Sequence, residues 1–216
     1  MQSDSPGNRR WRPIPIIGLT GGIACGKSTV LNQLESQGAL CLNADELYRG
    51  LVQIGAPLLK DLAAEFGEKT LNADGSLNRA YLASLVFSDK KALEALNRLT
   101  HPAILDETIS RLEAAVKDGF KWGVFEAAIL VEGNSYKEMD YLVVVSAPEE
   151  TRIARIVARD GLSPEQAKER INAQAPLSTY ESKANYVLQN SGDEQQLAAA
   201  TEELFETLVS RFGEPT

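Results

Sequence analysis

Short unbroken apolar runs alternate along this chain with longer stretches in which apolar residues recur every three to four positions, and that alternation predicts its elements. The run PIIGLT (15–20) reads as a buried strand stopped by glycines, and KSTVLNQLESQG (27–38) as a helix with a glycine stop. GALCLNADELYR (38–49) gives a second strand leading directly into a helix. Residues 50–118 contain no convincing strand: APLLKDLAAEFG, NRAYLASLVFS, KKALEALNRLT and PAILDETISRLEAAVKDG all read as amphipathic helices, with Pro102 in the first turn of the last one. WGVFEAAIL (122–130) and DYLVVVSA (140–147) are apolar runs of strand length, of the kind buried on both faces of a parallel sheet. A polar helical segment follows, with SPEQ as a helix start at Ser163, then a last strand in ANYVLQNSG and a C-terminal helix over 193–212. The pattern predicts one α/β domain over 15–216, a three-layer sandwich around a five-stranded parallel sheet, with helical insertions near 50–118 and 147–178.

Composition narrows this little but excludes a good deal. Of 216 residues, 44% are apolar and 24% charged, as in ordinary globular proteins. A formal net charge of −8 argues against a nucleic-acid surface, which needs a basic face. Cys25 and Cys41 are too few for a disulfide framework and lack metal-site spacing, which points to a reduced, cytoplasmic setting. No apolar run is long enough to cross a membrane. Residues 1–14 read as a flexible N-terminal arm, and a monomer or weak homo-oligomer is expected.

Residues 21–28, GGIACGKS, match G-x-x-x-x-G-K-[ST] between a strand and a helix, the context that gives the pattern its physics. Gly21, Gly22 and Gly26 permit a tight turn in which the N–H groups of Gly22, Ile23, Ala24, Cys25 and Gly26 can cradle phosphate oxygens. The helix that opens at Lys27, Ser28 and Thr29 adds the partial positive charge of its N-terminus. Lys27 is placed to reach the β- and γ-phosphates of ATP, and the Ser28 hydroxyl to ligate Mg²⁺. The fold is therefore expected to be P-loop kinase-like. N-K-x-D is absent and no D-x-x-G follows the loop, so a GTPase of the common type is disfavoured, and the length leaves little room for the coupling domains of a motor ATPase.

A small-molecule kinase needs a group that orients the acceptor, and strand ends of open α/β sheets face the ligand crevice. LCLNAD ends in Asp45, a carboxylate able to orient an acceptor hydroxyl and take its proton; as a residue type it would serve equally as a helix cap. Spacing alone leaves the two roles open.

GLTGGIACGKSTV, GALCLNADELYR, FGEKTLNADGSLNR, VFSDKKALEALNRLTHPAI, VFEAAILVE, ARIVARDGLSPEQAKERINAQ and ANYVLQNSG, in this order and spacing, resemble the dephospho-coenzyme A kinase family over residues 15–205. The resemblance implies ATP-dependent phosphorylation of the ribose 3′-hydroxyl of dephospho-coenzyme A, the last step in making coenzyme A. It implies Asp45 as acceptor-site base, Lys27 as phosphate-neutralising lysine, and Arg159 as a cation on a helical lid near 147–178, with the 50–118 insertion as the acceptor-binding part. Arg49, four residues beyond Asp45, is implied as a phosphate or pantetheine-side contact. On residue type alone Arg152, Arg155 and Arg159 read as a solvated helix face. The alternatives are a nucleoside or nucleotide kinase of the same architecture and a non-catalytic nucleotide-binding regulator.

Against the family's usual D-A-D this chain has Asn43-Ala44-Asp45; Ala24 and Cys25 stand for a frequent Gly-Ser, Ala128 stands where PLL usually begins, and Asn185 replaces an Asp. Position 24 tolerates a side chain only if its φ is negative. Glu126 closes WGVFE where an acid contacting Mg²⁺ through water can lie. His101, the single histidine, reads as structural or acceptor-side. Asn190 and Gly192 lie where such kinases often contact adenine, and Tyr81 and Phe87 read as core of the helical insertion.

Overall fold

The structure, a computed structural model, describes residues 12–216. Five strands form one sheet: β1 (Ile16–Thr20), β2 (Leu40–Asn43), β3 (Gly123–Glu126), β4 (Tyr141–Ser146) and β5 (Tyr186–Gln189), in the order β2-β3-β1-β4-β5. β1 pairs in parallel with β3 (Leu19 opposite Glu126) and with β4 (Thr20 opposite Val144), and β4 with β5. The carboxyl ends of β1, β3, β4 and β5 thus come together at one edge of the sheet.

Contacts divide the chain into two compact units, one of residues up to Leu42 and from Leu112 onward, the other Asn43–Arg111. In the first, alternation along β1 sorts side chains to opposite faces. Ile17 and Leu19 join Val124, Val143, Val145 and Leu188 beneath Val30, Leu31 and Leu34 of α1 (Lys27–Ser36) and Leu197, Leu204 and Leu208. Those last three lie on the helix Glu194–Phe212, which starts on a capping box of Asp193 and Gln196. Ile16 faces the other way, with Ile14, Leu42 and Leu112. Arg12 pairs with Asp140 at 3.0 Å and Ile14 is buried, so the chain is already held from Arg12; the rest of the expected arm, residues 1–11, lies outside the described residues. The 122–130 run makes only a four-residue strand, because after Ala127 donates to the Leu19 carbonyl (3.2 Å) the backbone turns away.

In the second unit α2 (Ala44–Leu51), α3 (Pro57–Phe66), α4 (Arg79–Ser88) and the opening part of α5 (Lys90–Lys117) surround Val52, Leu58, Leu59, Leu62, Leu77 and Leu82. As expected, among the described residues no named strand occurs between residues 50 and 118; an isolated bridge joins Leu71 and Leu77. Two expectations fail. Pro102 does not begin a helix but lies inside the 28-residue α5. It removes the N–H that the Arg98 carbonyl would accept, yet Leu96, Leu99 and Ala103 keep helical spacing across it on one apolar cluster, and that shared burial carries the helix through. Phe87 is not core: it is 89% exposed, because α4 turns Leu82 and Val86, four residues apart, inward, and Phe87 falls off that stripe. Tyr81 is half-buried.

Three helices and a short one complete the first unit: α6 (Glu149–Asp160), α7 (Pro164–Asn172), the short α8 (Leu177–Glu181) and α9 (Glu194–Phe212). Ser163 caps α7 through a full capping box with Gln166, as SPEQ predicts. Trp122, fully buried at the start of β3, donates its indole N–H to the Gly213 carbonyl beyond α9 (2.8 Å) and lies 6.2 Å from the Phe205 ring. Trp122→Ala should therefore cost about 3–5 kcal/mol of stability, the usual range for deleting a buried large aromatic; a loss of unfolding free energy in urea of less than a quarter of that would show that the site collapses around the lost ring.

Candidate functional site

The loop between β1 and α1 can exist only with the backbone it has. Gly21 sits at φ 149°, and a Cβ there would lie 2.2 Å from the Val145 carbonyl oxygen of β4, so a side chain is excluded where the chain leaves the sheet. Gly26 at φ 98° closes the loop in the left-handed region and caps α1 without a side chain. The first turn of α1 holds no acidic residue. Its leading N–H groups therefore meet no carboxylate of their own helix and, with the helix dipole, favour an external anion. Lys27 lies back along the loop, donating Nζ–H to the carbonyls of Gly21 (2.9 Å) and Gly22 (3.2 Å), and Ser28 is exposed in the first turn.

Three consecutive carbonyls of this loop are held from outside. Ile23 C=O accepts from Arg152 Nε (2.9 Å), Ala24 C=O from Arg155 Nη1 (3.2 Å), and Cys25 C=O from Asn190 Nδ2 (2.8 Å). In a trans peptide C=O and the following N–H point in opposite directions. Pinning these carbonyls outward therefore turns the N–H groups of Ala24, Cys25 and Gly26 the other way; that of Cys25 reaches back to the Gly22 carbonyl (3.3 Å). Arg155 also donates to Asn190 Oδ1 (2.9 Å), and the backbone N–H of Asn190 bonds Ser146 C=O at the end of β4 (2.7 Å). Gln174, beyond α7, accepts from Ile23 N–H (2.7 Å).

This corrects the reading of the arginine series. Arg152 is buried, not solvated, and Arg155 is spent on the loop; Arg159, one turn further, is exposed and forked onto its neighbour Asp160 (2.7 and 3.0 Å), which Arg170 also holds (2.8 Å). That fork keeps the Asp160 carboxyl below its ordinary range. Arg152 lies one turn before the fully buried Ile156, and this i, i+4 pairing with an apolar stripe was the available signal that it faces inward. Asn190 is likewise buried, with both side-chain groups committed to Cys25 and Arg155, so it supports the loop instead of presenting its amide to adenine. Gln174 carried no signal in the sequence.

Ala24 has φ 60°, the condition under which replacement of glycine matters. An alanine held in the left-handed region costs about 1–2 kcal/mol. Cys25 is fully buried, and burial raises its thiol pKa despite the opposing charges of Arg152 and Lys27. Burial, aided by Glu35, pushes the Cys41 thiol up to about 12. Both cysteines are free thiols. Around the loop, Glu126 is buried at the end of β3, Thr20 donates to the Ala128 carbonyl (3.3 Å), Ser146 donates to Glu181 (2.7 Å), and Tyr180 to Glu132. Asn185, in place of an acid, uses Oδ1 as an acid would, accepting from Leu142 N–H (2.7 Å).

The other expected residues belong to the second unit. Asn43 caps α2, its side chain accepting from Glu46 N–H at 3.1 Å. Asparagine caps as well as aspartate does, so the change from the usual acid preserves the helix start. Asp45 is then not the cap: it lies at the second position of α2, exposed, with Arg49 one turn later and also exposed. His101 is exposed on α5. Among the described residues no group of three or more His, Cys, Asp or Glu side chains is placed to hold a metal ion, and no helix is long and apolar enough to cross a membrane.

A parallel α/β sheet whose first strand feeds a glycine loop, an inward row of amides and an uncapped helix start is a P-loop nucleotide-binding domain of the kinase type. A family model for dephospho-CoA kinase matches residues 15–196. The chain is 39% identical to a dephospho-CoA kinase of Thermobifida fusca over 91% of its length and 97% of the relative's, and 40% identical to that of Geobacter sulfurreducens over 88% and 96%. Among solved structures, dephospho-CoA kinase from Campylobacter jejuni superposes with a TM-score of 0.67 at 25% identity, covering 91% of this chain and 98% of that one. Shikimate kinase from Acinetobacter baumannii, at 17% identity and a TM-score of 0.50, shares the fold. This chain belongs to the dephospho-CoA kinase family.

Ala24→Gly should raise stability by about 1 kcal/mol by relieving the left-handed alanine, partly offset by glycine's greater unfolded entropy, which corresponds to roughly 2–4 °C in Tm for a chain of this size. A lowered Tm would mean that the methyl's own contacts outweigh the backbone strain.

Proposed function

We propose that this chain transfers the γ-phosphoryl group of ATP to the ribose 3′-hydroxyl of dephospho-CoA, releasing CoA and ADP by direct in-line displacement without a phospho-enzyme. The observation that carries this reading is the loop whose carbonyls are pinned outward and whose amides, with the uncapped start of α1, suit a triphosphate. Family membership supports the acceptor.

Transfer of a phosphoryl group asks for positioning and charge neutralisation more than for covalent chemistry. The amides of Gly22, Ala24, Gly26, Lys27 and Ser28, with the Lys27 ammonium, take the negative charge of the β- and γ-phosphates, while those of Ile23 and Cys25 are engaged by Gln174 and the Gly22 carbonyl; for this Lys27 exchanges the Gly21 and Gly22 carbonyls for phosphate oxygens, a charge-assisted and stronger pairing. Asp45 orients the acceptor hydroxyl and accepts its proton as the new P–O bond forms; its freedom from capping, which Asn43 performs, supports that assignment. Arg49 and His101 are assigned to the acceptor side. Arg159 serves on a lid near 147–178, leaving its fork on Asp160 for the transferring group while Arg170 keeps that carboxylate paired. The donor set fits Mg²⁺: the exposed Ser28 hydroxyl and the Glu126 carboxylate, directly or through water, are hard oxygen ligands of the kind it prefers alongside nucleotide phosphates. Bound there, the ion would neutralise phosphate charge. A reducing cytoplasm suits two free thiols, Cys25 buried and Cys41 half-buried.

Dephospho-CoA and free nucleosides offered separately under the same ATP should give acceptor-dependent ADP release with dephospho-CoA alone; phosphorylation of a nucleoside only, or ATP hydrolysis indifferent to acceptor, would overturn the assignment. Asp45→Asn should leave ATP affinity nearly intact and cut turnover about 10²-fold or more, and wild-type turnover would remove Asp45 from the chemistry. Arg159→Ala should lower kcat by roughly tenfold or more with little change in acceptor KM; an unchanged kcat would leave this arginine to its surface fork.

A further inference from the structure

Ile23 is gripped on both of its backbone polar groups by side chains from the segment between β4 and β5. Arg152 Nε donates to its carbonyl (2.9 Å) and Gln174 Oε1 accepts from its N–H (2.7 Å). Each bond fixes a different peptide plane. Because the N–H of Ile23 points to Gln174, the Gly22 carbonyl of the same peptide points the opposite way, where it accepts from Lys27 Nζ (3.2 Å) and Cys25 N–H (3.3 Å). Because the Ile23 carbonyl points to Arg152, the Ala24 N–H faces away from Arg152. That second plane leads into the strained residue, Ala24 at φ 60°, so the backbone itself gives it no preference for the observed orientation.

We propose that Arg152 is a positioning residue for phosphoryl transfer, holding the Ile23–Ala24 peptide so that the Ala24 N–H serves the nucleotide's terminal phosphates, with Gln174 bracing the adjoining peptide that seats Lys27. Arg152 is suited to this in a way an apolar residue is not. It is only 5% exposed, so its bond to Ile23 is shielded from competing water. Its guanidinium lies against Gly22, where a Cβ would come within 2.6 Å of Nη2, and its charge reaches Cys25 and Tyr180, whose ionised forms it favours. A cation directly behind the loop also adds positive potential to the row of amides. Arg152 and Gln174 on Ile23, and Arg155 on Ala24, all belong to the segment between β4 and β5, so the orientation of these two loop residues is tied to the position of that segment.

The kinetic part of this inference rests on the kinase reading above, whereas its binding part does not. ADP affinity by calorimetry, the ¹⁵N–¹H shift of the Ala24 amide on adding ADP, and Tm should be measured for the wild type, Arg152→Lys, Arg152→Met, Gln174→Ala and the Arg152→Met/Gln174→Ala pair. Arg152→Met should weaken ADP binding roughly tenfold or more, the size of one hydrogen bond to a charged group, and diminish the ADP-induced Ala24 shift. Arg152→Lys should recover part of both. The double variant should lose less than the product of the single losses, because both side chains act on the same residue. Folded Arg152→Met with wild-type ADP affinity and a wild-type Ala24 shift, only its Tm lowered, would make Arg152 mere core and overturn the proposal. If Arg152→Met does not fold, Gln174→Ala carries the test through its half-buried side chain, and unchanged ADP affinity there overturns it equally. Failure of the wild type to phosphorylate dephospho-CoA would instead overturn the acceptor assignment, with the ADP arms still deciding the clamp.

Discussion

The direction in which three peptide carbonyls point, those of Ile23, Ala24 and Cys25, governs the rest of this site. A backbone donor and acceptor share one rigid plane, so an anion-binding row of amides can be assembled only by giving the matching carbonyls somewhere else to go. Here they go to Arg152, Arg155 and Asn190. The arrangement tolerates an alanine in the left-handed region and a buried guanidinium, two features that would be destabilising in an ordinary core, because each is tied to the loop's shape.

The sheet order brings those partners within reach. With β1 between β3 and β4, and β5 outside β4, the loop leaving β1 passes the ends of β4 and β5. Asn190 follows β5 and is itself anchored to Ser146 at the end of β4, while Arg152 and Arg155 project from the helix that follows β4. Parallel strands place their carboxyl ends on one edge, so residues 129, 131 and 165 positions apart along the chain become hydrogen-bond partners. The absence of a Cβ at Gly21, against the Val145 carbonyl, is part of the same geometry: strand and loop approach closely there because nothing intervenes.

At the start of α2 the division of labour is of another kind. Asn43 satisfies a free helix N–H with its side chain, and the exposed Asp45 is released from that duty. A cap needs only a short side chain with an oxygen acceptor, so an amide is neutral at the first position, whereas the acceptor-base role proposed for Asp45 needs a carboxylate.

Much of this was legible in the amino-acid order alone. Strands buried on both faces read as unbroken apolar runs, capping boxes read as SPEQ, and the phosphate loop reads as GGIACGKS, because each depends on neighbours within a few residues. The same locality misled at Pro102, where a rule about one residue yielded to an apolar stripe running past it, and at Phe87, whose bulk suggested core although its helical phase did not. The arginines of α6 show the limit most plainly. The i, i+4 spacing of Arg152 and Ile156 marks one of the three arginines as inward-facing, but what each guanidinium meets was settled only by the tertiary structure, since it is decided by how a helix lies against a loop about 130 residues distant.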